Sequence, residues 1–143
     1  MSIIMKNIVL ISCVSKKLNT KAQAKDLYQS ALFIKSLQYA QGLKPDAIYI
    51  LSAKYHLLKL DAEIRPYDQT LSSMKKADRL TWGDVVADQL SKVADLKNDQ
   101  FIILAGNKYI EPLQSHLENI QLPLQGLKIG ERLKFLTGHQ KQG

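Results

Sequence analysis

Three short, continuous apolar runs constrain what this 143-residue chain can fold into more than any other feature. They are Ile8 to Ser12 (IVLIS), Ala47 to Ser52 (AIYILS) and Phe101 to Ala105 (FIILA), rich in branched residues and lacking polar alternation. A strand that reads apolar on both sides is buried on both faces, the condition of a parallel sheet covered by helices. The segments between them carry helical spacing instead. Over Ala24 to Gln41, Leu27, Ala31 and Ile34, with Tyr28, Leu32, Phe33, Leu37 and Ala40 on neighbouring rows, predict one helix stopped by Gly42 and Pro45. Ser72 or Ser73 is placed to cap a second helix, whose stripe is Trp82, Val85, Val86, Gln89, Leu90 and Val93. Tyr109, Leu113 and Leu117 mark a third, which requires Pro112 to fall in the first turn. Leu122 to Leu124 predicts a short strand and Gly130 to Leu136 a terminal helical segment. Alternation of this kind predicts right-handed βαβ units in an α/β fold, a three-layer αβα sandwich with a central, mainly parallel sheet.

Residues 1–143 read as one domain, long enough to bury a core without disulfides or a structural metal. The lone Cys13 forms neither an internal disulfide nor a multi-cysteine zinc site. No apolar stretch is of membrane-spanning length and no signal-peptide core is present, so the expectation is a cytoplasmic chain with no membrane partner. The glycines of GLKIGERL match neither a P-loop nor a dinucleotide fingerprint, and His116 and His139 lack metal-ligand spacing; no cofactor and no metal are expected. Twenty Lys plus Arg against 13 Asp plus Glu give a net charge of +7, which attracts polyanions, although lysines dispersed along the chain equally suit a solvated surface.

In an open parallel sheet ligands bind beyond the carboxyl ends of the strands, so the residues following each run locate the chemistry. Cys13-Val14-Ser15-Lys16-Lys17 follow the first, Ser52-Ala53-Lys54-Tyr55-His56 the second, and Gly106-Asn107-Lys108-Tyr109 the third. Each exit combines lysine with a small polar residue, a set suited to a phosphate- or base-sized ligand. The segment after the second exit is too polar for core and too long for a plain connector. Its Glu63 and Asp68, with His56 upstream, are the acid–base candidates; Arg65 either pairs with them or meets a phosphate; Tyr67 and Tyr55 either stack on a base or fill the interior. Cys13 is either a thiolate at a strand-to-helix turn or a small buried residue.

The motifs SCVSKK, AKDLYQSALFIKSLQYA, YILSAKYHLL, EIRPYDQTL, LAGNKYIEPL and PLQGLKIGERLKFL, in that order, resemble a small uncharacterised bacterial and phage domain family. That family has the pattern C-S-K-K, L-Y-x-S-x-L-F, S-A-K-[HY]-G-L, P-Y-[DE]-x-[TS]-L, L-A-G-x-x-Y and G-x-G-x-x-L. Here Val14 separates Cys13 from Ser15, Tyr55 stands where histidine is common, and His56 replaces the usual glycine. More distantly the layout is similar to the YaaA peroxide-stress proteins and to the central domain of archaeosine synthase, which are compared with uracil-DNA-glycosylase-like folds. The resemblance implies a nucleotide or nucleic-acid partner. One expectation is an enzyme cleaving or exchanging a base–sugar bond, with Ser15, Lys16, Lys17, Ser52, Lys54, Arg65, Tyr67, Asn107 and Lys108 as binding residues and Glu63, Asp68 and His56 as catalytic ones. The alternatives are a non-catalytic nucleic-acid-binding accessory domain and a stress-response protein.

Overall fold

Val9, Leu10 and Ile11 are wholly buried because β1 (Asn7–Ser12) runs through the middle of a five-stranded sheet. On one side it pairs in parallel with β3 (Ala47–Ser52), Ile8 opposite Ala47, and on the other with β6 (Gln100–Leu104), Ile8 opposite Phe101. A parallel strand, β7 (Asn119–Gln121), extends the sheet beyond β6, and an antiparallel one, β4 (His56–Lys59), closes it beyond β3. The computed structural model describes residues 5–12 and 17–140 of the chain. Cys13, Ser15 and Lys16 therefore lie outside the described residues.

The period of two divides each strand between two cores. Val9, Ile11, Ile50 and Leu104 face α2 (Ala31–Gly42) and α5 (Ile129–Gln140), which meet each other through Tyr39 and Phe135, ring centroids 5.7 Å apart. Ile8, Leu10, Phe101 and Ile103 face α3 (Lys76–Ser91) and α4 (Asn107–Gln114). Helices thus cover both faces of a mainly parallel sheet, as the three apolar runs require. No helix among the described residues is long and apolar enough to cross a membrane.

Local chemistry redraws several helix limits. The helix expected over Ala24 to Gln41 is two: a single turn, α1 (Ala24–Leu27), ends as Tyr28 turns extended, and α2 restarts after Ser30, whose hydroxyl accepts the Phe33 N–H at 3.1 Å. A serine cap outcompetes a continuous but strained pattern because it satisfies an orphan amide. At the other end of α2, Lys44 rather than Gly42 takes the left-handed position, φ 52°. Before α3, Leu71–Ser73 form only a 3₁₀ turn and the α-helix starts at Lys76, without a side-chain cap on its first amides. Pro112 sits in the second turn of α4, not the first. The last strand lies at Asn119–Gln121 because Leu124 is turned into the α2–α5 core instead.

β4 is an element the sequence pattern concealed. A small second sheet accompanies it, β2 (Ala22–Gln23) antiparallel to β5 (Glu63–Ile64). The outer edge of β4 is partly closed by α3, since the Gln89 side-chain oxygen accepts the Leu57 N–H at 3.0 Å. Removing that acceptor strands a half-buried amide, so Gln89→Ala should destabilise the fold by about 1–2 kcal/mol in urea denaturation.

The α3–α4 contact depends on Gly83. A Cβ there would overlap the Pro112 carbonyl oxygen and lie 2.6 Å from the Pro112 Cβ. Both obstacles belong to rigid parts of α4. Gly83→Ala is accordingly expected to cost about 2–3 kcal/mol, read as a fall in denaturation midpoint, whereas Gly42→Ala, with open space around it, should cost nothing.

Candidate functional site

Ser52 ends β3 fully buried and makes a polar contact with each of three neighbouring segments. Its hydroxyl accepts the Tyr55 N–H at 3.0 Å, which closes the hairpin into β4, and meets the Tyr67 hydroxyl at 2.7 Å. Its carbonyl accepts the Trp82 indole N–H at 2.9 Å from α3. Tyr67 in turn meets the Tyr28 hydroxyl at 2.7 Å, and the Lys17 ammonium lies 4.5 Å from the Tyr67 ring centroid, a cation–π distance. The segment from Glu63 to Asp68 therefore does return over the end of β3. It is Tyr67, a buried side chain, that anchors it there.

The concave feature lies one strand over. From β1 the chain winds outward to β3, then crosses back to β6 on the opposite side, so the connections diverge at the carboxyl ends of β1 and β6. Such a divergence leaves a crevice. A cavity of about 160 Å³ occupies it, walled by Ser12, Ser36, Ser72, Asn107, Lys108 and Arg132 among others, with no carboxylate among the described residues of its lining. Gly106 caps α4 in extended conformation; its carbonyl accepts the Tyr109 N–H at 3.0 Å, but it has no side chain to accept the N–H groups of Asn107 and Lys108 or to offset the positive end of the helix dipole. Arg132 reaches in from α5. Its Nε donates to the Leu127 carbonyl at 2.9 Å, and its Nη1 stands 3.9 Å from where a Gly106 Cβ would be. Among the described residues no carboxylate pairs with it.

The residues singled out from the sequence divide among several places. Asn107 and Lys108 line the cavity. Ser52 and Tyr67 belong to the buried hydroxyl cluster, and the half-buried Lys17 lies over the Tyr67 ring. Lys54 and His56 border a second depression, of about 190 Å³, against α3. Glu63, Arg65 and Asp68 are exposed; Glu63 pairs with Lys21 at 3.5 Å, and neither carboxylate lines either cavity. The buried carboxylate among the described residues, Asp99, sits at the opposite end of the sheet, its two oxygens accepting the N–H groups of Lys6 and Asp95 at 2.9 and 2.8 Å. Among the described residues no cluster of His, Cys, Asp and Glu could hold a metal. Ser36 and Arg132 were not anticipated. The available signal for the latter was an arginine inside the apolar spacing of GLKIGERLKFL, next to the glycine that starts the terminal helix.

His56 has φ 65°, in the left-handed region that favours glycine. Burial lowers its imidazole pKa from the ordinary 6.5. Protonation then favours the unfolded chain, so the stability tied to neutral His56 is complete above about pH 6.5 and is lost as pH falls below it. The melting temperature should drop more between about pH 7.5 and 5.5 for the native chain than for His56→Asn, since asparagine tolerates φ > 0 and does not titrate.

A UPF0246 protein of Shewanella halifaxensis (strain HAW-EB4) is 33% identical over 93 residues, which cover 61% of this chain and 35% of that protein. The chain spans about a third of that relative's length. This likeness agrees with the similarity to YaaA-like proteins seen in the motifs. The model of a family described as "Family of unknown function (DUF6884)" matches residues 8–138, and the chain belongs to that family.

Proposed function

We propose that the chain binds a phosphate group of a nucleotide or nucleic acid in the crevice between β1 and β6, and acts as a binding domain. The observation that carries this reading is the juxtaposition of an Arg132 guanidinium, which pairs with no carboxylate among the described residues, and the start of α4, which has no side-chain cap. Two positive features side by side repel, and an anion between them removes the repulsion while gaining charge-assisted hydrogen bonds. Lys108 adds a flexible charge, and Ser12, Ser36 and Ser72 supply hydroxyls around it. The net charge of +7 and the distant similarity to archaeosine synthase and YaaA-like proteins both favour a polyanionic, base-bearing ligand.

Fluorescence anisotropy with short single-stranded DNA and RNA tests it. Affinity should fall steeply between low and moderate salt. Lys108→Ala and Arg132→Gln should each weaken binding by about tenfold or more, as expected for a lost charged contact. Arg132→Lys should recover only part, because it keeps charge without the bond to Leu127. No binding at low salt, or variants equal to the native chain, would refute the reading.

Cleavage or exchange of a base–sugar bond, the catalytic alternative, needs Glu63 or Asp68 at the reacting bond. Both carboxylates stand in solvent, which gives this alternative less support. Glu63→Gln and Asp68→Asn should therefore leave ligand affinity unchanged; a base-releasing activity abolished by either one would reverse the preference.

A further inference from the structure

We infer that the second depression, between the β3–β4 turn and α3, is a subsite for one nucleobase carrying an exocyclic amino group, on the same strand whose phosphate enters the β1–β6 crevice. The inference rests on the phosphate-binding reading and adds to it the position and type of a base. Its starting point is that the two cavities share a partition. Ser72 lines the first and Met74 the second, two residues apart on either side of the 3₁₀ turn's end, hence within about 7 Å of one another. Tyr109 of the first lies edge-on against Trp82 of the second, with ring centroids 5.7 Å apart. A spacing of that order lies within reach of neighbouring groups on one strand.

The chemistry of the second depression differs from that of the first. Met74, Val85 and Trp82 give it an apolar wall, and its volume of about 190 Å³ admits a flat heterocycle. Asp78 contributes a carboxylate, which repels phosphate and so selects the uncharged part of a nucleotide. A carboxylate accepts hydrogen bonds from the exocyclic amines of cytosine, adenine or guanine, whereas thymine and uracil offer only the ring N3–H, set between two carbonyl oxygens that repel a carboxylate. Gln69 offers one donor and one acceptor face to the remaining edge. His56, which burial keeps neutral near pH 7, adds a further polar edge without charge. Lys54, at the rim, is the cation of this depression and is exposed enough to follow the strand's backbone.

Anisotropy titrations with 5′-phosphorylated, fluorescein-labelled octamers of dC, dA and dT decide the matter. The native chain should bind dC and dA at least about fivefold more tightly than dT, the lower end of the discrimination expected from one base-edge contact. Asp78→Asn should collapse that ratio while leaving dT affinity and the melting temperature unchanged. Addition of the dC octamer should also shift the Trp82 indole and Gln69 amide NMR resonances. Equal affinities for the three octamers, or a ratio that survives in Asp78→Asn, would overturn the subsite. The phosphate reading would still stand in that case, provided Lys108→Ala weakens all three. Failure of every octamer to bind at low salt would remove both.

Discussion

Ser52 is the residue on which the arrangement of the polar end depends. A hydroxyl and a carbonyl buried at the last position of β3 would each cost free energy if left unpaired, of the order of 1–3 kcal/mol per group. Here both are satisfied, and by partners on different sides of the sheet. The carbonyl takes the Trp82 indole from α3, while the hydroxyl takes the Tyr55 amide and meets the Tyr67 phenol. Tyr67 passes the connection on to Tyr28, at the end of α1. One serine thereby couples the hairpin, the 63–68 segment and helices on both faces, and a polar network of this kind fixes geometry because its members cannot move singly.

The same network explains what could and could not be read from the sequence. The apolar runs at Ile8, Ala47 and Phe101 announced buried strands because nothing else in the chain combines branching, continuity and shortness. Residues with two competing uses were harder. Tyr28 fits a helical row, yet leaves the helix to reach Tyr67, and Ser30 then caps the next helix. His56-Leu57-Leu58-Lys59 resembles neither a clean alternation nor a continuous run, so the edge strand was invisible until its partners, Ser52 across the hairpin and Gln89 on α3, were in place. Tertiary hydrogen bonds decided these cases, and such bonds leave no local period.

The candidate site was legible to a similar degree and for related reasons. A doubly covered parallel sheet gathers its loops at the strand exits, and two residues singled out there, Asn107 and Lys108, line the crevice. The long segment after β3 drew attention through its charges, whereas its anchoring contact is the aromatic Tyr67. Arg132 escaped notice because its distance in sequence from the strand exits says nothing about proximity. It arrives only because α5 packs on α2 and its guanidinium is steered to Gly106 through the Leu127 carbonyl.

The magnitude of the repulsion at that crevice bears on what it can do. A helix start carries roughly half a positive charge, and a full cation about 4 Å away at an effective dielectric near 20 would be opposed by about 2 kcal/mol. Arg132 is only partly buried, so solvent reduces this further. A penalty of that size is small beside the interior contacts of two cores and does not threaten the fold. It is, however, comparable to the factor of ten in occupancy that each 1.4 kcal/mol commands. An anion entering the crevice cancels the penalty and meets two donors already in position, so little of its binding energy is spent on ordering them. Had a carboxylate been placed beside Arg132, as Lys21 stands beside Glu63, that advantage would have vanished in an internal ion pair.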